Sequence, residues 1–202
     1  MEQLSARIKS LSPSATIAMN QKGREMKEKG VDVINLSVGE PDFPTPEHIC
    51  EAAKRAVDGP WHGYPPVAGY PDLLQAIADK FKRENKLEYK PSNILVSTGA
   101  KHSLVNAIMC LVDKGEEVIV PAPYWVSYPE MVKLVSGEPV FVPTSPENHY
   151  RVTPEDLEPH TSRHTKMLIL NNPSNPSGAL YSEEEVAAIV SFCVQENILL
   201  LA

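Results

Sequence analysis

Three short stretches of this chain carry side chains that can hold and orient a small ligand. The first is Asn171-Asn172-Pro173-Ser174-Asn175-Pro176-Ser177-Gly178. It follows the apolar run Lys166-Met167-Leu168-Ile169-Leu170 and precedes the helix-like Ser182-Glu183-Glu184-Glu185-Val186. A buried strand therefore runs into a proline-pinned polar loop, and a helix leaves it. In an open α/β sheet the ligand crevice lies at the carboxyl ends of the strands, where three asparagines and two prolines read as a ligand loop held in one shape. The same residue types also make ordinary strand-to-helix turns, and this stretch alone supports both readings. The second stretch is Ser97-Thr98-Gly99-Ala100-Lys101-His102. Backbone N–H groups at a helix start, two hydroxyls and the Lys101 ammonium can hold a phosphate, although Gly99 can equally serve a tight turn. Spaced glycines are absent, so this is neither a Walker A loop nor a dinucleotide fingerprint. The third is Pro121-Ala122-Pro123-Tyr124-Trp125, whose Trp125 is either a stacking surface for a planar ligand or a core tryptophan. Phosphate cradle, flat ring and the Asn175 amide are expected to converge on one crevice.

The elements that must position these residues follow from hydrophobic pattern and turn chemistry. Ser14 to Gly30 is predicted helical, with Ile17, Met19 and Met26 as apolar positions and Gly30 as the stop. Val33 to Ser37 is a predicted short strand, followed by a stiff loop from Val38 to Pro46. Thr45-Pro46 predicts an N-cap and a first helical residue for a helix to about Asp58. Pro71 to Asn85 is predicted helical, with Leu74, Ile77, Ala78 and Phe81 on one stripe. Strands are then predicted at 94–97, 117–120, 139–142, 166–170 and 198–202. Helices are predicted at 101–112, 127–135, 154–158 and 182–197, the last opened by a Ser182/Glu185 capping box. Strand–helix alternation of this kind means an α/β fold with a mostly parallel sheet covered on both faces. The apolar run Ile198 to Ala202 stops without a turn, charge or glycine, so the chain is expected to be the N-terminal portion of a longer protein.

Composition excludes several function classes. The 202 residues carry a formal net charge of −7, and no Lys/Arg cluster exceeds two residues, which disfavours a nucleic-acid partner. No apolar run approaches the ~20 residues that span a bilayer, and the first residues lack the apolar core of a secretion signal. Cys50, Cys110 and Cys193 are too far apart for a disulfide framework or a metal knuckle. They are expected to be buried free thiols in a reducing cytoplasm. His160 and His164 are four residues apart, but the polar residues between them point to a loop and not to a metal site. No G-x-S-x-G elbow supports serine-hydrolase chemistry.

Six motifs now stand in order: Ser14-Ala15-Thr16-Ile17-Ala18, Gly39-Glu40-Pro41-Asp42-Phe43, Tyr64-Pro65-Pro66-Val67-Ala68-Gly69, Thr98-Gly99-Ala100-Lys101, Pro123-Tyr124-Trp125-Val126-Ser127-Tyr128-Pro129 and the loop from Asn171 to Gly178. Over nearly the whole chain the set resembles the fold-type I pyridoxal-phosphate aminotransferases, in particular the bacterial aspartate aminotransferases of subgroup Ib. The resemblance implies a three-layer α/β/α large domain beginning near residue 45, preceded at 1–44 by an N-terminal arm and a segment of a small domain. It implies pyridoxal 5'-phosphate as cofactor, amino transfer between L-aspartate and 2-oxoglutarate, and a cytoplasmic homodimer with shared active sites.

Residue by residue, the resemblance implies that the Gly39 N–H meets the substrate α-carboxylate and that Trp125 stacks on the cofactor ring. Asn175 bonds the phenolic oxygen and helps hold the carboxylate clamp. Gly99, Ala100 and Lys101 form the phosphate-binding helix start. Ser14 and Lys101 read the distal carboxylate, and Tyr64 reaches the phosphate in the neighbouring subunit. The family's Schiff-base lysine and the aspartate that protonates the ring nitrogen are expected beyond Ala202. No catalytic residue is then expected in this chain, and the 202-residue piece alone is expected to be inactive. The alternatives are an aromatic, alanine or kynurenine aminotransferase, a C–S lyase, or a non-catalytic truncated fragment that binds ligand or partner.

Overall fold

Four apolar runs become four strands of one parallel sheet: β1 (Glu117–Pro121), β2 (Glu138–Val142), β3 (Thr165–Ile169) and β4 (Leu199–Leu201), in the order β2-β1-β3-β4. A computed structural model of the chain describes residues 3–37 and 39–202. Its helices are α1 (Ala6–Lys9), α2 (Ala15–Glu28), α3 (Glu47–Asp58), α4 (Pro71–Lys80), α5 (Ala100–Leu111), α6 (Ser127–Leu134), α7 (Pro154–Leu157) and α8 (Glu183–Gln195). The chain divides into two compact units, one of Met1–Val33 with Leu104–Ala202 and one of Ile34–Ser103.

The first unit contains the sheet. Parallel neighbours need a crossover rather than a hairpin, and α6, α7 and α8 supply the three crossovers between successive strands. Side chains alternate across each strand, so each central strand feeds two cores. Val118, Val120, Met167 and Ile169 meet Ile108, Tyr128, Met131 and Val132 of α5 and α6 on one face. Ile119, Leu168 and Leu170 meet Leu157, Ile189, Phe192 and Cys193 of α7 and α8 on the other. In register, Ile119 stands beside both Val140 and Leu168, and Leu168 beside Leu200. The result is the expected α/β architecture. The capping box at α8 forms as read: Ser182 Oγ accepts from Glu185 N–H, and Glu185 Oε2 accepts from Ser182 N–H.

In the second unit α3 and α4 lie close to their predicted bounds, and the rings of Trp61 and Tyr70 meet edge to face at 4.8 Å. Gly69, at φ +118°, brings its backbone so close to Val96 that a Cβ would lie 2.9 Å from Val96 Cγ2. Only glycine fits this position of the Tyr64–Gly69 motif.

The structure corrects four expectations. Residues 94–97 form no strand, because a strand needs a paired neighbour: Val96 N–H donates instead to Ala68 O at 2.9 Å. Residues 33–37 form none either. Asn35 Oδ1 captures Ser37 N–H (3.0 Å) and Ser37 Oγ (2.5 Å), a local bond that competes with ladder pairing. Val38, the first residue of the predicted loop 38–46, lies outside the described residues. Helix α3 starts one residue late, with Pro46 at its N-cap position and no side-chain cap from Thr45, and α4 gives way to a π turn at Phe81–Asn85. The cysteines are free, but only Cys193 is buried; Cys50 is half-buried and Cys110 exposed. A helix has an apolar stripe and an outer face, and Cys110 falls on the outer face of α5. Burial pushes the Cys193 thiol above its ordinary value.

Candidate functional site

The carboxyl ends of the two central strands lead into the two loops marked by sequence. After β3, Leu170 N–H still pairs with Leu201 O at 2.9 Å, and the chain then closes on itself. Asn171 Oδ1 accepts the Asn175 N–H at 2.8 Å, and Asn172 Oδ1 accepts the Tyr181 N–H at 3.2 Å. Ser174 N–H donates to Ala179 O (2.9 Å) and Gly178 N–H to Ser174 O (2.8 Å), with Gly178 at φ +71°. Of the three asparagines, two are therefore spent on the loop itself. Of the loop's three asparagines, only Asn175 has a carboxamide that makes no hydrogen bond within the described residues, and it is exposed to solvent. The turn reading therefore holds for Asn171 and Asn172, and the ligand reading is left to Asn175.

After β1, Ala122 N–H donates to Val142 O at 2.9 Å, and Thr144 Oγ1 donates to Ala122 O. These bonds fix the start of the Tyr124-Trp125 segment. The Tyr124 ring stacks on Phe141 (centroids 5.0 Å apart, planes at 16°), and Trp125 meets Tyr128 edge to face at 5.4 Å. Trp125 is half-buried and packs against the α5/α6 core. It is thus part core residue and part exposed ring, an amphipathic placement suited to the edge of a ligand site.

Tyr124, Tyr128, Tyr150, Ser174, Asn175 and Tyr181 line a narrow cleft between the two loops. It offers ≈ 20 Å³ to a water-sized sphere, about one water molecule, which is too little to enclose a ring-sized ligand. Sequence reasoning missed Tyr150 and Tyr181, which reach the cleft only through tertiary folding. Tyr150 (φ +59°) follows His149 (φ +50°), and two successive non-glycine residues in the left-handed region cost roughly 1–2 kcal/mol each. Such backbone is held where a side chain must be aimed. The polar stretch Glu147 to Arg151 gave no motif; His149 is a residue type that tolerates positive φ, but nothing in the sequence marks Tyr150 for it.

Tyr181 is buried, and its hydroxyl accepts the Val152 N–H at 3.0 Å. Burial foremost pushes its phenol above the ordinary value, so it stays neutral across the physiological range. Arg151 Nη1 pairs with Glu185 Oε2 at 3.2 Å, tying this corner to the start of α8. Tyr181→Phe is expected to strand the buried Val152 N–H and to lower unfolding stability by about 1–2 kcal/mol, checked by urea denaturation; an unchanged midpoint would mean that water replaces the hydroxyl.

Ser14 belongs to the same unit and caps α2, its Oγ accepting the Ile17 N–H at 3.4 Å. A serine hydroxyl that accepts still has its own proton to donate. Ser14, Ser12, Tyr124, Glu130, Lys133 and Phe141 line a second cleft, so Tyr124 forms a wall of both.

The other predicted residues lie in the unit Ile34–Ser103. Ala100 opens α5, and the first N–H groups of a helix have no intrahelical acceptor. Gly99 adopts φ +80° with open space where a Cβ would be, and its own N–H turns to Ser97 O at 2.9 Å. His102 Nδ1 accepts the Thr98 N–H at 3.3 Å and pins this turn, a role the sequence did not suggest. Lys101 is exposed, as are Gly39 and Tyr64. Among the described residues no three His, Cys, Asp or Glu side chains cluster to hold a metal, and no helix is long and apolar enough to cross a membrane.

Taken as donor chemistry, an exposed carboxamide and a part-exposed indole in the first unit suit the edge of a planar, polar ligand, and the helix start in the second unit suits an anion. Comparison with known proteins points the same way. Residues 31–202 match the model of the family described as aminotransferase class I and II. The chain is 46% identical to an aspartate aminotransferase of Bacillus subtilis over 99% of its length and 51% of that protein's. It is also 46% identical to a probable aspartate/prephenate aminotransferase of Thermus aquaticus over 100% of its length and 53% of that protein's. The solved structure of Thermus thermophilus aspartate aminotransferase with maleate superposes with a TM-score of 0.94 at 44% identity, covering 99% of this chain and 52% of that one. The chain spans about half the length of the curated relatives it matches. On the family model and on the extent of identity alike, the chain belongs to the class I and II aminotransferases.

Proposed function

We propose that the protein is a pyridoxal-phosphate aminotransferase that moves an amino group between L-aspartate and 2-oxoglutarate. The observation that carries this reading is the Asn175 carboxamide, left without an internal partner at the carboxyl end of β3 while Asn171 fixes its backbone. Pyridoxal phosphate, when bound, supplies an electron sink for negative charge developing at the substrate Cα. In this reading Asn175 donates to the cofactor's phenolic oxygen and sets the ring's orientation, and Trp125 covers one face and excludes water from it. Gly99, Ala100 and Lys101 hold the phosphate, where the helix start favours negative charge. Gly39 offers its N–H to the substrate α-carboxylate, and Ser14 and Lys101 recognise the distal carboxylate. Tyr64 contacts the phosphate in the partner subunit, which makes the working unit a homodimer, and the enzyme acts in the cytoplasm. Residues 1–44 contribute the arm and part of a small domain, and 45–202 the first part of the cofactor domain.

The test is a panel of amino donors with 2-oxoglutarate as acceptor, run on the full-length protein. L-Aspartate is expected to give the highest kcat/KM; preference for an aromatic donor or alanine, or absence of transfer, overturns the assignment. The 202-residue chain alone is expected to give no turnover, because the resemblance places the Schiff-base lysine outside it.

A further inference from the structure

We infer that Glu130 is a positioning residue: it latches the segment that carries Ser14 onto helix α6, and Lys133 neutralises it so that the adjacent cleft accepts an anionic ligand. The inference rests on the reading of Ser14 as the contact for a distal carboxylate.

Ser12 N–H donates to Glu130 Oε2 at 2.8 Å, across 118 positions of sequence. The other carboxylate oxygen, Oε1, pairs with Lys133 Nζ at 3.0 Å, one turn further along α6. Each oxygen of Glu130 thus has its own partner. Both side chains are partly shielded, at 24% exposure for Glu130 and 32% for Lys133, so the pair is less screened than a surface pair. The preceding helix α1 packs on α6 as well. Two residues beyond the latch, Ser14 begins α2. Its Oγ position follows from the path of Ser12 and Pro13, and proline restricts the residue before it to extended backbone. Glu130 therefore sets where the Ser14 hydroxyl stands.

The charge argument is separate. The cleft lined by Ser12 and Ser14 is also lined by Glu130. A bare carboxylate there would repel a second carboxylate brought by a substrate. The Lys133 ammonium removes that net charge while leaving Oε2 free to accept from Ser12. Tyr124, stacked on Phe141, walls both this cleft and the one beside Asn175. A ligand with one charged group at each end would therefore run along Tyr124.

Hydrogen exchange of the Ser12–Ile17 amides in the full-length protein, with kinetics on the same variants, tests the proposal. Glu130→Ala is expected to speed exchange of this segment about tenfold, the weight of one hydrogen bond. Glu130→Gln, which keeps an acceptor oxygen, is expected to restore near wild-type exchange. Glu130→Ala should also show a KM for L-aspartate about tenfold above that of Glu130→Gln, with little difference in kcat or in KM for L-alanine, because both variants remove the carboxylate charge and only Ala removes the acceptor for Ser12. Lys133→Met should leave exchange as in wild type and still raise KM for L-aspartate, because only the neutralising charge is lost. Unchanged exchange in Glu130→Ala, or a Gln variant no better than Ala, overturns the latch. Should Glu130→Ala not fold, Glu130→Asp retains the charge and shortens the reach, and it must show the same loosening or the latch is wrong. Exchange results as stated in a protein that does not use aspartate would sustain the latch and sink the proposed function instead.

Discussion

Replacing Asn175 with alanine in the full-length protein is expected to lower kcat/KM for amino transfer about 100-fold while changing unfolding stability by less than about 0.5 kcal/mol. The two halves of this expectation have different physical sources. Stability is spared because the loop is held by other groups: Asn171 Oδ1 on the Asn175 N–H, Asn172 Oδ1 on the Tyr181 N–H, and the Ser174–Ala179 and Gly178–Ser174 backbone bonds. None of these uses the Asn175 carboxamide. Activity is expected to fall because, in the proposed role, the carboxamide donates to the cofactor's phenolic oxygen, and removing one fixed donor of this kind costs about 3 kcal/mol. Asn171→Ala provides the contrast. It removes the acceptor for the Asn175 N–H, so it should lower both activity and melting temperature. Initial rates and thermal melts on the two variants separate the roles. An Asn175→Ala enzyme retaining more than about a third of wild-type kcat/KM would show that the carboxamide does not touch the reacting system.

The parts of this molecule legible in sequence were those determined locally. Each strand of the sheet is an apolar run, followed in β1 to β3 by a turn, so β1 to β4 were recognisable one at a time. Ser182 and Glu185 announced α8 because a capping box is a bond between near neighbours. The asparagine–proline loop was legible as a fixed loop after β3 for the same reason, although sequence could not divide its three asparagines. Only the fold shows that Asn171 and Asn172 turn inward to backbone N–H groups. What escaped was decided by distant partners. Ile94 to Ser97 has the composition of a strand, but strand formation needs a neighbour, and Val96 bonds to a loop carbonyl. Tyr150 enters the cleft through a left-handed backbone that no glycine or asparagine foreshadowed. Glu130 was invisible as a latch because its partner, the Ser12 N–H, carries no side-chain identity at all.

The largest loss of stability is expected from Leu168→Ala, about 3–4 kcal/mol. Leu168 is 1% exposed and lies in β3, one of the two central strands. Its register neighbours are Ile119 on β1 and Leu200 on β4, and its face packs on Ile189, Phe192 and Ile198. Losing the buried leucine atoms removes roughly 2 kcal/mol of transfer free energy. The remainder comes from the cavity, because the register neighbours on both sides are fixed by sheet hydrogen bonds and cannot collapse into it. The control is Val194→Ala on α8: at 75% exposure it buries little, and its change should stay within about 0.5 kcal/mol. Urea denaturation of both variants, followed by far-ultraviolet dichroism, measures the difference. The functional consequence follows the same geometry, since β3 delivers the chain to Asn171 and the position of that residue sets Asn175. Leu168→Ala protein that remains folded should therefore bind pyridoxal phosphate more weakly than the Val194→Ala control. Equal midpoints for the two variants would mean that the α7/α8 face of the sheet can repack around a lost side chain, and that the loop at the end of β3 does not depend on the core beneath it.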